Sequence, residues 1–343
     1  MTGRITARPP SLAPPRRLPS PRVHRVNRSL SPRELARVLG VSESSLKRWA
    51  DDGRLQFART AGGHRRISVP EAVRFARRSC LPIVCPEALG LPAIDTDAPP
   101  LRDAAAELGR SVVDLLAGDA DTAAVLADLL HRDQATLAQS LVTGLYLRGH
   151  PLGWVFDAVV CPALNGIGGL YLHDAAGIYL EHRAFDICVQ AVSQLRGLIP
   201  PPVDDAPVAA GGAPPGDVYL MPSLMAAAVL ADKGYRVVNL GAQLPLDSLR
   251  DAASHYGASA VWLACACTDH APDEAAVGGL AAALGRRGAT LLLGGNARPR
   301  GLRAPNAVHV ASMSELAAFA AGALSEPPAA PRAAADHPAS THG

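Results

Sequence analysis

Between residues 206 and 325, short apolar runs alternate with alanine-rich segments at a spacing that few folds accept. Strands are expected at 207–210, 236–240, 258–265, 290–293 and 307–310, with helices at about 222–234, 246–256, 272–286 and 313–324. Such alternation makes a parallel sheet with crossover helices, an α/β doubly wound domain. Ligands of such domains sit at the carboxyl ends of the strands. Its centre is 216–241: Gly-Asp-Val-Tyr-Leu-Met-Pro-Ser-Leu, an alanine-rich helix, then Arg-Val-Val-Asn-Leu-Gly.

The remaining two thirds of the chain differ in kind. From Met1 to Arg78 there are 18 Lys and Arg against 5 Asp and Glu, whereas the rest of the 343 residues carries 15 against 26. One end is therefore built to meet a polyanion. Residues 1–29 hold arginines and prolines and read as a disordered basic arm, without the apolar core of a secretory signal. Residues 80–100 are punctuated by Pro82, Pro86, Pro92, Pro99 and Pro100 and read as a linker. Residues 101–200 are helical in pattern, with helices expected at 101–117, 120–147 (with a break near His131), 151–172 and 177–198. Short connections make such helices antiparallel neighbours in a bundle. The tail 326–343, rich in Pro, Ala and His, is expected to be disordered. No apolar run reaches the roughly 18 residues of a membrane span. Six scattered cysteines suit reduced thiols in the cytoplasm better than a disulfide framework.

The basic end has its own pattern. Ser31-Pro32-Arg33-Glu34 is a capping box with proline at the first helical position, and Gly40 ends that helix. Ser42 caps a second helix in which Leu46 and Trp49 face inward. Ser44, Ser45, Lys47 and Arg48 are then left for the major groove. Two strands, 55–60 and 64–69, flank Ala61-Gly62-Gly63 as a hairpin bearing Arg59, Thr60, Gly62, Gly63, His64 and Arg65. With Ser68-Val69-Pro70-Glu71 opening a third helix, residues 30–79 resemble a MerR-type winged helix-turn-helix. The resemblance implies that the second helix and the wing touch operator DNA and that paired protomers read a two-fold site. No heptad helix follows the wing, so contacts of a dimer or tetramer must come from elsewhere.

The α/β end resembles the cobalamin-binding domain, a flavodoxin-like fold whose signature places a histidine two residues after an acid and a glycine three residues further on. That histidine gives cobalt its lower axial ligand. Here the acid is Asp217, but Tyr219 stands for the histidine and Pro222 for the glycine. Gly241 matches the turn after the second strand, Gly294-Gly295 the diglycine near the nucleotide tail, and Ala264 replaces a serine with Thr268 close by. The helical region resembles the cap of light-responsive repressors of carotenoid genes, the CarH/LitR type. Its motif of Trp, nine residues and Glu-His appears as Tyr171, Glu181 and His182, with Leu172 where a second histidine is found in those proteins. Cobalamin, as adenosylcobalamin, is the cofactor implied; the departures weigh against canonical ligation and leave another tetrapyrrole, or no ligand, open.

No catalytic constellation is visible. Cys265-Ala266-Cys267 shares a strand face but lacks further metal ligands, Asp269-His270 lacks a nucleophile, and the histidines have no metal spacing. The expectation is a multidomain regulator, probing DNA with one end and a signal with the other. The rival is a corrinoid carrier of a methyltransferase system.

Overall fold

The computed structural model describes residues 28–91, 93–118, 121–170 and 175–325. Tyr171, the basic arm before Arg28 and the tail after Ser325 lie outside them.

The amino-terminal unit contains β1 (Ser29–Leu30), α1 (Pro32–Leu39), α2 (Glu43–Asp51), β2 (Ala58–Arg59), β3 (Arg65–Ser68) and α3 (Val69–Arg78). The capping box at α1 forms: Glu34 N–H donates to Ser31 Oγ at 3.2 Å, and Ser31 N–H donates to the Glu34 carboxylate at 2.7 Å. Gly40 closes the helix at φ 64°, a left-handed conformation that only glycine adopts without strain. The hairpin pairs β2 with β3, as the sequence implied. β1 adds a third antiparallel strand on the other side of β3, with Leu30 opposite Ile67 and both buried. Two residues carry no periodicity, so β1 has no signature in the sequence.

The helical region follows: α4 (Pro99–Glu107), α5 (Val112–Leu116), α6 (Thr122–His131), α7 (Ala135–Leu147), α8 (Leu152–Trp154), α9 (Cys161–Leu170) and α10 (Ala175–Leu198). The helix expected at 101–117 is two, because Gly109 turns the chain at φ 66° and Ser111 with Asp114 caps a new start. The break near His131 is present, with Asp133 at φ 52°. The helix expected at 151–172 is interrupted by π-helical turns over Val155–Val160, and Asp157 lies within them. α7 and α10, which fall in the second and fourth of the expected helices, run in the same direction. Asp133 accepts from Arg183 at 2.8 Å, Gln139 bonds Gln190 at 3.0 Å, and Thr143 bonds Gln194 at 3.2 Å, a sequence separation that stays at 50 to 51.

The third unit holds β4 (Val208–Gly212), α11 (Leu220–Asp232), β5 (Arg236–Asn239), α12 (Leu246–Tyr256), β6 (Ala260–Ala264), α13 (Glu274–Gly285), β7 (Thr290–Gly294), β8 (Ala307–His309) and α14 (Met313–Ser325). Its strands are all parallel in the order β5-β4-β6-β7-β8, the flavodoxin-like 2-1-3-4-5 arrangement. Alternate strand residues part to the two faces. Val261, Leu263, Leu291 and Leu293 pack with α12 and α13, whereas Ala209, Ala260, Trp262 and Leu292 join α11, α14 and the helical region.

That second cluster is continuous from Leu30 to Ala320. The segment 80–100, expected as a linker, is part of it. Pro86–Leu89 forms a 3₁₀ turn, Ala88, Leu89, Leu91 and Ala98 are buried, and Val84 N–H donates to Val38 O at 2.8 Å. Prolines erase the periodicity that would have announced a buried segment, but they do not prevent burial. A second tie joins the helical region to the α/β unit. Asp157 accepts from the amides of Met313 and Ser314, both at 2.8 Å, capping α14 from outside its own domain. Among the described residues no helix is long and apolar enough to cross a membrane.

Candidate functional site

The first candidate surface is built from α2 and the hairpin. Ser42 Oγ accepts from Ser45 N–H at 3.2 Å and shares short hydroxyl contacts with Ser44 (2.8 Å) and Ser45 (3.0 Å). The serine side chains therefore build the start of α2. Lys47 and Arg48 are exposed on it, and Leu46 is buried beneath. Arg59, Thr60, Gly62, Gly63 and His64 are exposed on the hairpin. Thr60 Oγ1 accepts from His64 N–H at 3.2 Å and so shapes the turn, where Gly63 takes φ 78°. Arg65 lies with its guanidinium 5.3 Å from the centre of the Phe57 ring and 3.8 Å from Asp51. Ser44 and Lys47 from α2 and Arg65 from the hairpin meet around one crevice of about 310 Å³. Arg54, not foreseen, adds an exposed cation held over Trp49.

The second candidate surface is the carboxyl edge of the parallel sheet. Asp217 is 1% exposed, and both its oxygens are taken by backbone. Oδ2 accepts from Ala266 N–H at 2.6 Å and Cys267 N–H at 3.0 Å, and Oδ1 accepts from Tyr219 N–H at 3.0 Å. The carboxylate thus pins the β4–α11 loop to the end of β6. Gly241 turns at φ 85° and its N–H donates to Asn239 Oδ1 at 3.1 Å. Gly295 turns at φ 90°, and a Cβ there would lie 2.0 Å from Cys265 O, so the diglycine serves the crossing of its own loops. Thr268 is exposed beyond β6. Val218 and Tyr219 are exposed together, at 60% and 48%.

Glu181 and His182 are exposed on α10, one turn beyond exposed Ile178 and Tyr179. The hydrogen bond from Tyr146 to Asp232 joins the carboxyl-terminal ends of α7 and α11, and α10 runs with α7. α10 therefore directs its first turns toward the same edge of the sheet where α11 begins at Tyr219. Tyr171, the third member of the expected cap motif, lies outside the described residues.

The residues beneath Tyr219 do not fit a cobalamin ligated from that position. Position 219 offers a phenol in place of the imidazole that ligates cobalt in the cobalamin-binding signature. The space between α11 and the sheet is filled by Trp262. Its indole is 2% exposed, and its Nε1–H donates to Ser223 Oγ at 3.0 Å. Ser223 in turn bonds Asn239 Oδ1 at 2.9 Å. A Cβ on Gly211 would lie 2.2 Å from the indole and 2.3 Å from Trp262 O, so the strands close over the ring only because residue 211 is glycine. Sequence reasoning passed over Trp262; a lone tryptophan in a run of small strand residues was the available signal.

Three of the thiols are held in their protonated form. Burial pushes Cys161 up to about 11 and Cys188 and Cys265 up to about 12. Among the described residues no three His, Cys, Asp or Glu side chains gather as a metal site.

Residues 29–71 match the family model described as a helix-turn-helix domain. The chain carries a helix-turn-helix domain. No curated protein matches the chain. Among solved structures it is similar to the monomethylamine corrinoid protein of Methanosarcina barkeri, at 15% identity over 58% of this chain and 96% of that one, with a TM-score of 0.44. It is also similar to the methanol:cobalamin methyltransferase complex MtaBC of the same organism, at 13% identity over 59% and 79%, with a TM-score of 0.30. A cobalamin-binding protein from Desulfitobacterium hafniense DCB-2 gives 14% identity over 52% and 84%, with a TM-score of 0.26.

Proposed function

We propose that the chain is a transcriptional regulator of MerR type, acting as a repressor in the cytoplasm and not as an enzyme. The observation that carries this reading is the exposed basic face that α2 and the hairpin share within a helix-turn-helix domain. In it α2 enters the major groove with Lys47 and Arg48, and the hairpin is the wing that places Arg59 on the neighbouring phosphates. Two protomers read a two-fold site. Incubated with a library of random-sequence duplexes, the full chain is expected to enrich an inverted repeat, scored by sequencing the retained DNA. Retention without any sequence enrichment would overturn the assignment.

The α/β unit is assigned the part of the sensor, its receiving surface the carboxyl edge around Val218, Tyr219, Glu181 and His182. A corrinoid carrier is the weaker reading, because position 219 lacks an imidazole and Trp262 fills the interior beneath it. Mixed with adenosylcobalamin in the dark and then desalted, the chain is expected to emerge colourless. A retained corrinoid spectrum would restore cobalamin as its ligand.

A further inference from the structure

The α/β unit and the DNA-reading unit are joined by three side chains that neither the helix-turn-helix pattern nor the sheet pattern accounts for. Arg77, in the last turn of α3, lies over the ring of Tyr146 with its guanidinium carbon 3.8 Å from the ring centre. Its Nη1 donates to Tyr146 O, and Nη1 and Nη2 both donate to His150 O at 3.2 Å. A guanidinium at this place adds to the carbonyls of the last turn of α7 and of the loop after it, where a positive charge is also favoured by the helix dipole. The stacked ring adds a cation–π attraction, strengthened because Tyr146 is 2% exposed.

Tyr146 then reaches the other way. Its hydroxyl donates to Asp232 Oδ1 at 2.8 Å. Burial, with the Asp232 carboxylate beside it, raises the phenol above its ordinary range, so the hydroxyl keeps its proton and remains a donor. Asp232 is the last residue of α11, and Tyr219 immediately precedes the first. A helix of 13 residues is a rod of about 20 Å that moves as one piece. A displacement at the carboxyl edge of the sheet is thereby delivered at Asp232.

We propose that Tyr146, gripped by Arg77 and bonded to Asp232, is the positioning residue that fixes the DNA-reading unit against the α/β unit. This rests on the DNA-binding reading above and names the regulation of that same face. The fixed element is the angle of α2, and hence the separation of the two reading helices in a pair of protomers. A ligand or partner that shifts α11 changes DNA affinity by loosening this junction, without touching the DNA face.

The test uses the full chain with Tyr146→Phe, which keeps the ring under Arg77 and removes only the bond to Asp232. Hydrogen exchange of the α1–α3 amides is measured together with affinity for a duplex selected by the wild-type chain. The bond removed is to a carboxylate, a kind whose loss corresponds to a factor of about ten to a hundred. Exchange in α1–α3 is expected to rise by about that factor, with operator affinity falling in step. Asp232→Ala should reproduce the effect, and the double variant should be no worse than the worse single one. Arg77→Lys keeps the charge but loses the fork and the stacking, and is expected to free α1–α3 as well. Wild-type exchange in α1–α3 of both Tyr146→Phe and Arg77→Lys, in folded chains, would overturn the proposal. If the wild-type chain retains no duplex, the DNA reading has failed while exchange still decides the junction.

Discussion

Trp262→Ala is expected to cost about 3–5 kcal/mol of stability, the range for truncating a large aromatic in a packed core. The cost has two sources. A void opens between α11 and β6, where the indole is now 2% exposed, and the buried Ser223 hydroxyl loses one of its two partners. Trp262→Phe keeps most of the volume and loses only this hydrogen bond, while Ser223 keeps its bond to Asn239, so it should cost about 0.5–1.5 kcal/mol. Urea unfolding of the two variants separates packing from polar satisfaction. Equal midpoints would mean that the hydrogen bond, not the filled volume, is what matters. A Trp262→Ala chain as stable as wild type would mean that the interior is not packed as described.

Replacing Lys47 and Arg48 together with alanine is expected to abolish selective DNA binding while leaving the fold intact. Both side chains are exposed on α2, and neither takes part in the serine cluster that caps it. A base contact by Arg48 is worth about 1–3 kcal/mol, and a phosphate contact by Lys47 contributes about one unit to the salt slope. A two-fold complex loses each contact twice. The measurement is affinity for a selected duplex across a salt series, with circular dichroism as the control for folding. Unchanged affinity with an unchanged salt slope would remove α2 from the groove.

Local pattern made the α/β unit and the helix-turn-helix legible from the sequence. Strands and helices fell within a few residues of 207–210, 236–240 and 313–324 because period, capping serines and closing glycines are all encoded nearby. Of the residues singled out for the candidate surfaces, Lys47, Arg48, Arg59 and Tyr219 are exposed, whereas Asp217 is buried and consumed by three backbone amides. What stayed hidden depends on partners far along the chain. Nothing near Leu30 announces Ile67, nothing near Tyr146 announces Asp232, and a proline-rich segment gives no hint that Leu89 and Leu91 are core residues.

The bonds from Asp157 to Met313 and Ser314 bear on the ancestry and the handling of this protein. A helix whose start is capped by a residue 156 positions earlier cannot be moved without that residue. Cut away near residue 200, the α/β unit would begin α14 with open amides and leave one flank of α11 bare. Any exchange of the α/β unit between proteins would have to carry the helical region along with it. A cut near residue 80 would be no cleaner, because Arg77 would lose the carbonyls it holds and Val38 the amide of Val84.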